Sequence, residues 1–231
     1  MAVTVGAETK RVLAPGGTVY LLGGPSALSP GVLSALTADG FKVVRLGGDN
    51  RFTTAVDIAN SLSPSAIFVA TGITPADALV AGAAAAKGDG IVLLTDDGLM
   101  PAATAAYLAA HTGLTVYALG GPAAAADPAA LAFVGRERYV TGVLVAQAFF
   151  ASPEAVGFAS GVGWADALAG GVHIAMHGGP LLLVDPTSID AELRGYLNSV
   201  GGGVLAAFAY GGPSTMPASQ ITALSGALGG A

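Results

Sequence analysis

Gly48-Asp49-Asn50-Arg51-Phe52-Thr53-Thr54 and Gly135-Arg136-Glu137-Arg138-Tyr139-Val140-Thr141 are two versions of one phrase, with Arg51 and Arg138 87 residues apart. Ala70-Thr71-Gly72 ahead of Asp77-Ala78-Leu79 is echoed by Ala159-Ser160-Gly161 ahead of Asp166-Ala167-Leu168, with the aspartates 89 residues apart. A third signature, an apolar run closing in Gly-Gly-Pro, stands at Gly23-Gly24-Pro25, Gly120-Gly121-Pro122 and Gly211-Gly212-Pro213. Self-similarity at a fixed spacing dictates architecture before any single element is read. Here the period is that of a small α/β unit rather than a solenoid turn.

Within the period, short β-rich apolar runs alternate with Ala/Leu-rich helical windows. That alternation predicts an α/β fold of tandem βαβ modules, with mostly parallel sheets and helices on both faces. Strands are predicted over 19–22, 42–46, 67–71, 91–95, 116–119, 156–160, 181–184 and 205–210. Helices are predicted over 30–38, 52–61, 75–87, 101–111, 128–133, 139–150, 164–177, 189–199 and 217–228. Pro75, Pro101, Pro128 and Pro217 stand near predicted helix starts, where a missing N–H costs nothing. Residues 42–133 and 134–231 read as complete repeats, and 1–41 as a partial first repeat holding only the closing strand, Gly-Gly-Pro turn and helix. The last repeat shows no clear equivalent of the 42–46 strand, because Leu131-Ala132-Phe133-Val134 is short.

Composition narrows the function classes. Of 231 residues, 53% are hydrophobic and 10% charged, against about 25% charged in ordinary soluble domains. Glycine alone accounts for 35 residues, which points to close backbone packing more than to bulky cores. No apolar run reaches the ~18 residues needed to span a bilayer. The net charge of −6 argues against nucleic acid, whose binding rests on clustered cations. The absence of Cys excludes disulfides, thiolate zinc sites and a Cys nucleophile. Residues 1–17 carry Glu8, Lys10 and Arg11 and no apolar stretch typical of a signal peptide. On that ground the chain is expected to be cytoplasmic or a piece of a longer precursor.

Several residues are chemically suggestive. Thr74-Pro75-Ala76-Asp77 has the form of a helix-capping box, with Asp77 at the third helical position, and Gly163-Trp164-Ala165-Asp166 repeats it. The same loops follow the carboxyl end of a strand, where open α/β sheets bind ligands, so Asp77 and Asp166 are also read as ligand-facing. Arg51 and Arg138 stand at helix starts, where a cation opposes the helix dipole and usually answers a carboxylate. The matched spacing predicts Arg51–Asp77 and Arg138–Asp166 ion pairs. The Gly-Gly-Pro turns need glycine's backbone freedom, and their N–H groups also suit an anion. Neither a G-x-G-x-x-G nor a Walker sequence occurs, so no nucleotide cofactor is indicated. His173 and His177 share a helix face at i, i+4 without a third metal ligand, and Asp89, Asp96 and Asp97 are too few for calcium. No sequence assembles a nucleophile with its base, so no catalytic residue is expected.

In their order, the Gly-x-x-Arg-aromatic-x-Thr start, the Thr/Ser-Gly…Asp-Ala-Leu centre, the Pro180-Leu181-Leu182-Leu183 strand and the Gly-Gly-Pro-Ser close resemble the cell wall binding repeat 2 family. The first copy fits through Arg51, Thr54, Asp77, Ala78 and Leu79, and the second through Arg138, Tyr139, Thr141, Asp166, Ala167 and Leu168. Pro122-Ala123 departs from the closing turn, and Ile91-Val92-Leu93-Leu94 lacks the strand's proline. The resemblance implies a non-catalytic module, three copies of which usually surround a pseudo-threefold axis. It further implies non-covalent attachment of a secreted protein to anionic cell-wall polymer, with no cofactor, no metal, no nucleic acid and no membrane span. Arg51, Arg138, Thr54, Thr141, Asp77, Asp166, Gly72 and Gly161 are the ligand-binding candidates this suggests. Location at the cell wall or cell surface follows from the same resemblance. Two rivals stand beside it: a small-molecule or nucleotide-sugar-binding α/β enzyme, and a self-assembling surface-layer protein whose partial first repeat is completed by homo-oligomerisation, since an incomplete sheet leaves an edge to cover.

Overall fold

In the computed structural model of the chain, residues 5–229 are described, and residues 1–4 and 230–231, the outer ends of the expected first and last repeats, lie outside the described residues. The elements run α1 (Ala7–Val12), β1 (Thr18–Leu22), α2 (Pro30–Ala38), β2 (Lys42–Leu46), α3 (Arg51–Asn60), β3 (Ala66–Thr71), α4 (Ala76–Lys87), β4 (Gly90–Thr95), α5 (Ala102–Ala110) and β5 (Thr115–Leu119). They continue with α6 (Gly121–Ala126), β6 (Leu131–Phe133), α7 (Arg138–Phe149), β7 (Ala155–Ser160), α8 (Ala165–Met176), β8 (Leu181–Val184), α9 (Ala191–Val200), β9 (Ala206–Tyr210) and α10 (Ala218–Ala227). Three sheets form, in the orders β1-β2, β4-β3-β5-β6 and β8-β7-β9, and every strand pairing in them is parallel. The α/β class with helices packed around parallel sheets is therefore as the sequence predicts.

Both faces of the central strand β3 are covered, and all six of its residues are buried. Phe68 and Ala70 face a core shared with the next repeat, whereas Ile67 and Val69 face a second core under α3 and α5. The shared core joins Phe68, Ala70, Val80 and Ala81 of one repeat to Val145, Phe150, Ile174 and Leu183 of the next. Aromatic contacts bind the two repeats: Phe149 of α7 lies 5.2 Å from Phe68 and 5.1 Å from Tyr117 between ring centroids. The helix pair α4 and α8 meets across the same boundary. Two repeats thus fold around one interior.

Two expectations need correction. The 128–133 helix does not form: helix α6 precedes it, and Leu131–Phe133 is a strand. Asp127 turns the chain there, its Oδ1 accepting the Ala129 N–H at 3.2 Å. This strand is the equivalent of the 42–46 strand that the last repeat seemed to lack. In both places it completes the sheet of the unit before it, β2 beside β1 and β6 beside β5. The same turn bond recurs at each site, Gly23 N–H to Leu46 O at 2.8 Å and Gly120 N–H to Phe133 O at 2.9 Å. Helix α1 is an addition to the predicted elements; it buries no residue, and Lys10 ties it to Asp39 at 2.6 Å. Among the described residues the first sheet has two strands, β1 and β2, around a small core of Leu21, Val32, Leu36 and Phe41.

Candidate functional site at the repeat boundaries

Four of the seven residues of the repeated phrase have the same task in both copies. The N–H of Gly48 donates to Thr54 Oγ1 at 3.1 Å, and the N–H of Gly135 to Thr141 Oγ1 at 3.1 Å. Thr54 and Thr141 therefore shape the loop, and Thr141 is buried. Helix α3 begins at Arg51 behind Asn50, which caps it through a reciprocal bond with Thr53. Helix α7 begins at Arg138. The aromatic residue after each arginine covers the turn at the end of the next strand: a β-carbon at Gly72 would stand 3.1 Å from the Phe52 ring, a tight contact, and one at Gly161 would collide with the Tyr139 ring. Thr71 and Ser160 lock those turns by accepting the N–H of Ile73 at 3.2 Å and of Val162 at 3.3 Å.

The arginines do not pair as their spacing suggests. Arg51 donates to the carbonyl of Gly72, and Arg138 donates to the carbonyl of Gly161 at 2.9 Å. Among the described residues no ion pair links Arg51 to Asp77 or Arg138 to Asp166. Spacing misled because the strand-end carbonyl lies nearer to the helix start than the following helix does, and a carbonyl suffices as acceptor. The capping reading of Asp77 and Asp166 also fails: neither α4 nor α8 has a side-chain cap bond at its start.

Instead, each aspartate leans over the Gly-Gly-Pro turn of its own repeat. At Gly120 (φ 84°) a β-carbon would collide with Asp77 Oδ2, and at Gly211 (φ 118°) it would stand 2.7 Å from Asp166 Oδ2. Asp166 is supported by Thr215, whose hydroxyl donates to Oδ2 at 3.2 Å. Asp77 has Ala124 at the matching place in its turn, and its buried Oδ1 has no hydrogen-bond partner. Burial pushes the Asp77 carboxyl from 3.8 up to about 6, and the Arg138 guanidinium partly opposes that rise. The arginine that acts on Asp77 is thus the one from the following repeat.

Two clefts result, each holding one of the arginines. Arg138 lines a small notch of about 80 Å³ between Pro75-Ala76 of one repeat and Ser160, Gly161 and Trp164 of the next. Arg51 lines a larger cleft of about 480 Å³ against the first Gly-Gly turn, Gly23-Gly24, and the Gly48-Asp49-Asn50 loop. Both arginines are exposed. Trp164, the sole tryptophan, is 59% exposed and lines the notch with Arg138, a neighbour that the sequence reading does not single out. The signal for it lies in the comparison of repeats, where the 42–133 repeat has Pro75 at the same place. Arg136, by contrast, is engaged by Glu192 and by Glu137 at 3.5 Å.

The two histidines are hydrogen-bonded within the protein. His173 Nδ1 meets Tyr210 Oη at 2.8 Å and His177 Nδ1 meets the His173 carbonyl at 2.9 Å. Among the described residues, no three His, Cys, Asp or Glu side chains are grouped to hold a metal, and no helix is long and apolar enough to cross a membrane.

Comparison with known proteins agrees with this geometry. The sequence profile of cell wall binding domain 2 (CWB2) matches residues 45–129 and 133–221. Cwp6 from Clostridium difficile is similar in structure, with a TM-score of 0.85 at 21% identity over 98% of this chain. Cwp8 from Clostridium difficile is similar with a TM-score of 0.79 at 20% identity over 92% of this chain. The chain spans 38% of the length of each of these two proteins. No curated protein matches it in sequence.

Proposed function

Because the chain belongs to the cell wall binding domain 2 (CWB2) family and is a cell-wall-binding module, we propose that it attaches non-covalently to an anionic wall polymer through the clefts at its repeat boundaries. The observation that carries this reading is the recurrence of one exposed arginine per boundary. Each guanidinium spends a hydrogen on a strand-end carbonyl, which holds the planar fork in one orientation. The rest of the fork suits a phosphate or carboxylate, for which guanidinium geometry is well matched. Trp164 offers a flat apolar face beside Arg138, the kind of surface on which a sugar ring rests. Gly72, Gly161, Thr54 and Thr141 contribute by fixing the arginine loops, and Asp77 and Asp166 by shaping the floor beneath the Gly-Gly-Pro turns.

The overall charge of −6 means that binding rests on local cations and not on a broad positive field. Weak contacts repeated along a polymer add up through multivalency, so two modest clefts suffice. We assign the chain a gripping role at the cell wall or cell surface and no reaction of its own. The deciding experiment is pull-down with purified wall before and after its anionic polymers are stripped. Retention that falls on stripping supports the proposal; retention indifferent to stripping overturns it.

A further inference from the structure

Asp77 belongs to one repeat and Arg138 to the next, and their charges act on each other across the boundary. The notch that Arg138 lines is walled on both sides by described residues. Pro75 and Ala76, just before Asp77, form one wall, and Ser160, Gly161 and Trp164 form the other. Asp77 Oδ2 lies over Gly120, and Oδ1 is buried with no hydrogen-bond partner. A carboxylate whose inner oxygen is neither hydrated nor hydrogen-bonded is poorly screened, so its field carries to a neighbouring cation. Its counterpart Asp166 differs, because Thr215 donates a hydroxyl to it at 3.2 Å. Few other charges surround Asp77. Of the elements packed on α4, β3, β4 and β8 carry no titratable side chain, β5 carries Tyr117, α7 Arg138 and Tyr139, and α8 Asp166 and His173. Glu137, just ahead of α7, is engaged by Arg136 at 3.5 Å, and Lys87 stands at the opposite end of α4. Arg138 is the group whose charge acts on Asp77.

We propose that Asp77 sets the affinity of the Arg138 notch for an anionic ligand: ionised, it offsets the guanidinium's charge, and protonated, it leaves that charge to the ligand. Asp77 is here a positioning residue, acting on the ligand through Arg138. The arginine is not captured by it. Arg138 donates to the Gly161 carbonyl at 2.9 Å, and among the described residues no ion pair joins it to Asp77. Its fork therefore stays in the notch in both states, and only the net local charge changes. Burial pushes the Asp77 carboxyl up to about 6, so the change falls within the range a cell surface meets. Below that value the notch is positive; above it, a cation and an anion stand side by side. Anion and proton binding are then reciprocal, each favouring the other. The proposal rests on the reading of the notch as an anion site.

The test is sedimentation with purified wall at constant ionic strength, at about pH 5 and about pH 7.5, for the wild-type chain, Asp77→Asn and Arg138→Ala. The wild type should bind about fivefold more tightly at the lower pH. Asp77→Asn, uncharged at both, should lose this step and exceed the wild type about fivefold at the higher pH. Arg138→Ala should bind weakly at both, without the step. The three histidines and the polymer's own groups are common to all three proteins, so a step due to them would persist in the variants. Calorimetry with soluble polymer released from the wall, in two buffers, should show proton uptake near pH 6 for the wild type and none for Asp77→Asn, a readout that a merely structural role would not move. Equal wild-type binding at the two pH values, or a step undiminished in either variant, overturns this proposal and leaves attachment to the wall standing. Failure of the wild type to bind at either pH overturns both.

Discussion

The carboxylate of Asp77 lies over Gly120 so closely that no other residue fits beneath it, and the two are 43 positions apart in sequence. Gly120 has φ 84° and ψ 158°, a conformation open in practice only to glycine. Steric space and backbone shape therefore both demand glycine at this position. The equivalent pair, Asp166 and Gly211, repeats the arrangement.

Gly120→Ala should destabilise the fold by about 2–4 kcal/mol, combining backbone strain with the collision. Pairing it with Asp77→Ala should recover about 1 kcal/mol, the share due to the collision, and leave the backbone share in place. Denaturant unfolding of the four proteins in the cycle measures both terms. Strict additivity would contradict the contact.

Asp77→Asn should stabilise the protein at neutral pH. The native carboxyl titrates near 6, above its unfolded value of 3.8, so its favourable contribution is complete below about 4 and is lost as pH rises through 6. Above pH 7 the wild type holds a charge whose inner oxygen has no partner. The substitution should therefore gain about 1–3 kcal/mol at pH 7.5 and little at pH 4. Unfolding free energies at the two pH values check the sign.

Arg138→Ala and Arg51→Ala should each reduce retention on purified wall by about tenfold, the cost of one charge-assisted contact of about 1.5 kcal/mol. Arg136→Ala, whose guanidinium is already engaged by Glu192, should leave retention unchanged. Retention of the wild type should also weaken with added salt. Sedimentation with wall fragments over a salt series reads all of these.

Trp164→Ala should weaken retention by about 1–2 kcal/mol with little change in thermal stability, because an exposed ring contributes little to folding. Quenching or a blue shift of the lone tryptophan's fluorescence on adding soluble wall polymer provides a direct probe. A spectrum unmoved at saturating polymer would remove Trp164 from the site.

Much of the architecture was legible in sequence because it is encoded locally. Apolar runs such as Ala66–Thr71 and Leu181–Val184 are strands because both faces are covered, and their length and flanking glycines show it. The doubled phrase around Arg51 and Arg138 disclosed the repeat because loop-shaping residues act over a few positions, as the Thr54 bond to Gly48 illustrates. Leu131–Phe133 escaped because three residues carry too little pattern, and the strand exists only through pairing with Thr115–Leu119.

What sequence alone could not decide was who meets whom. Arg138 shares a repeat with Asp166 yet influences Asp77, because the boundary brings the end of one unit against the start of the next. Val172 and Ala83 hold the same rank in their helices, yet one is exposed and the other buried. Periodicity records the face that a residue presents. Only packing in three dimensions determines whether another element lies on that face, since a neighbour's presence is a property of the assembled chain and not of the segment.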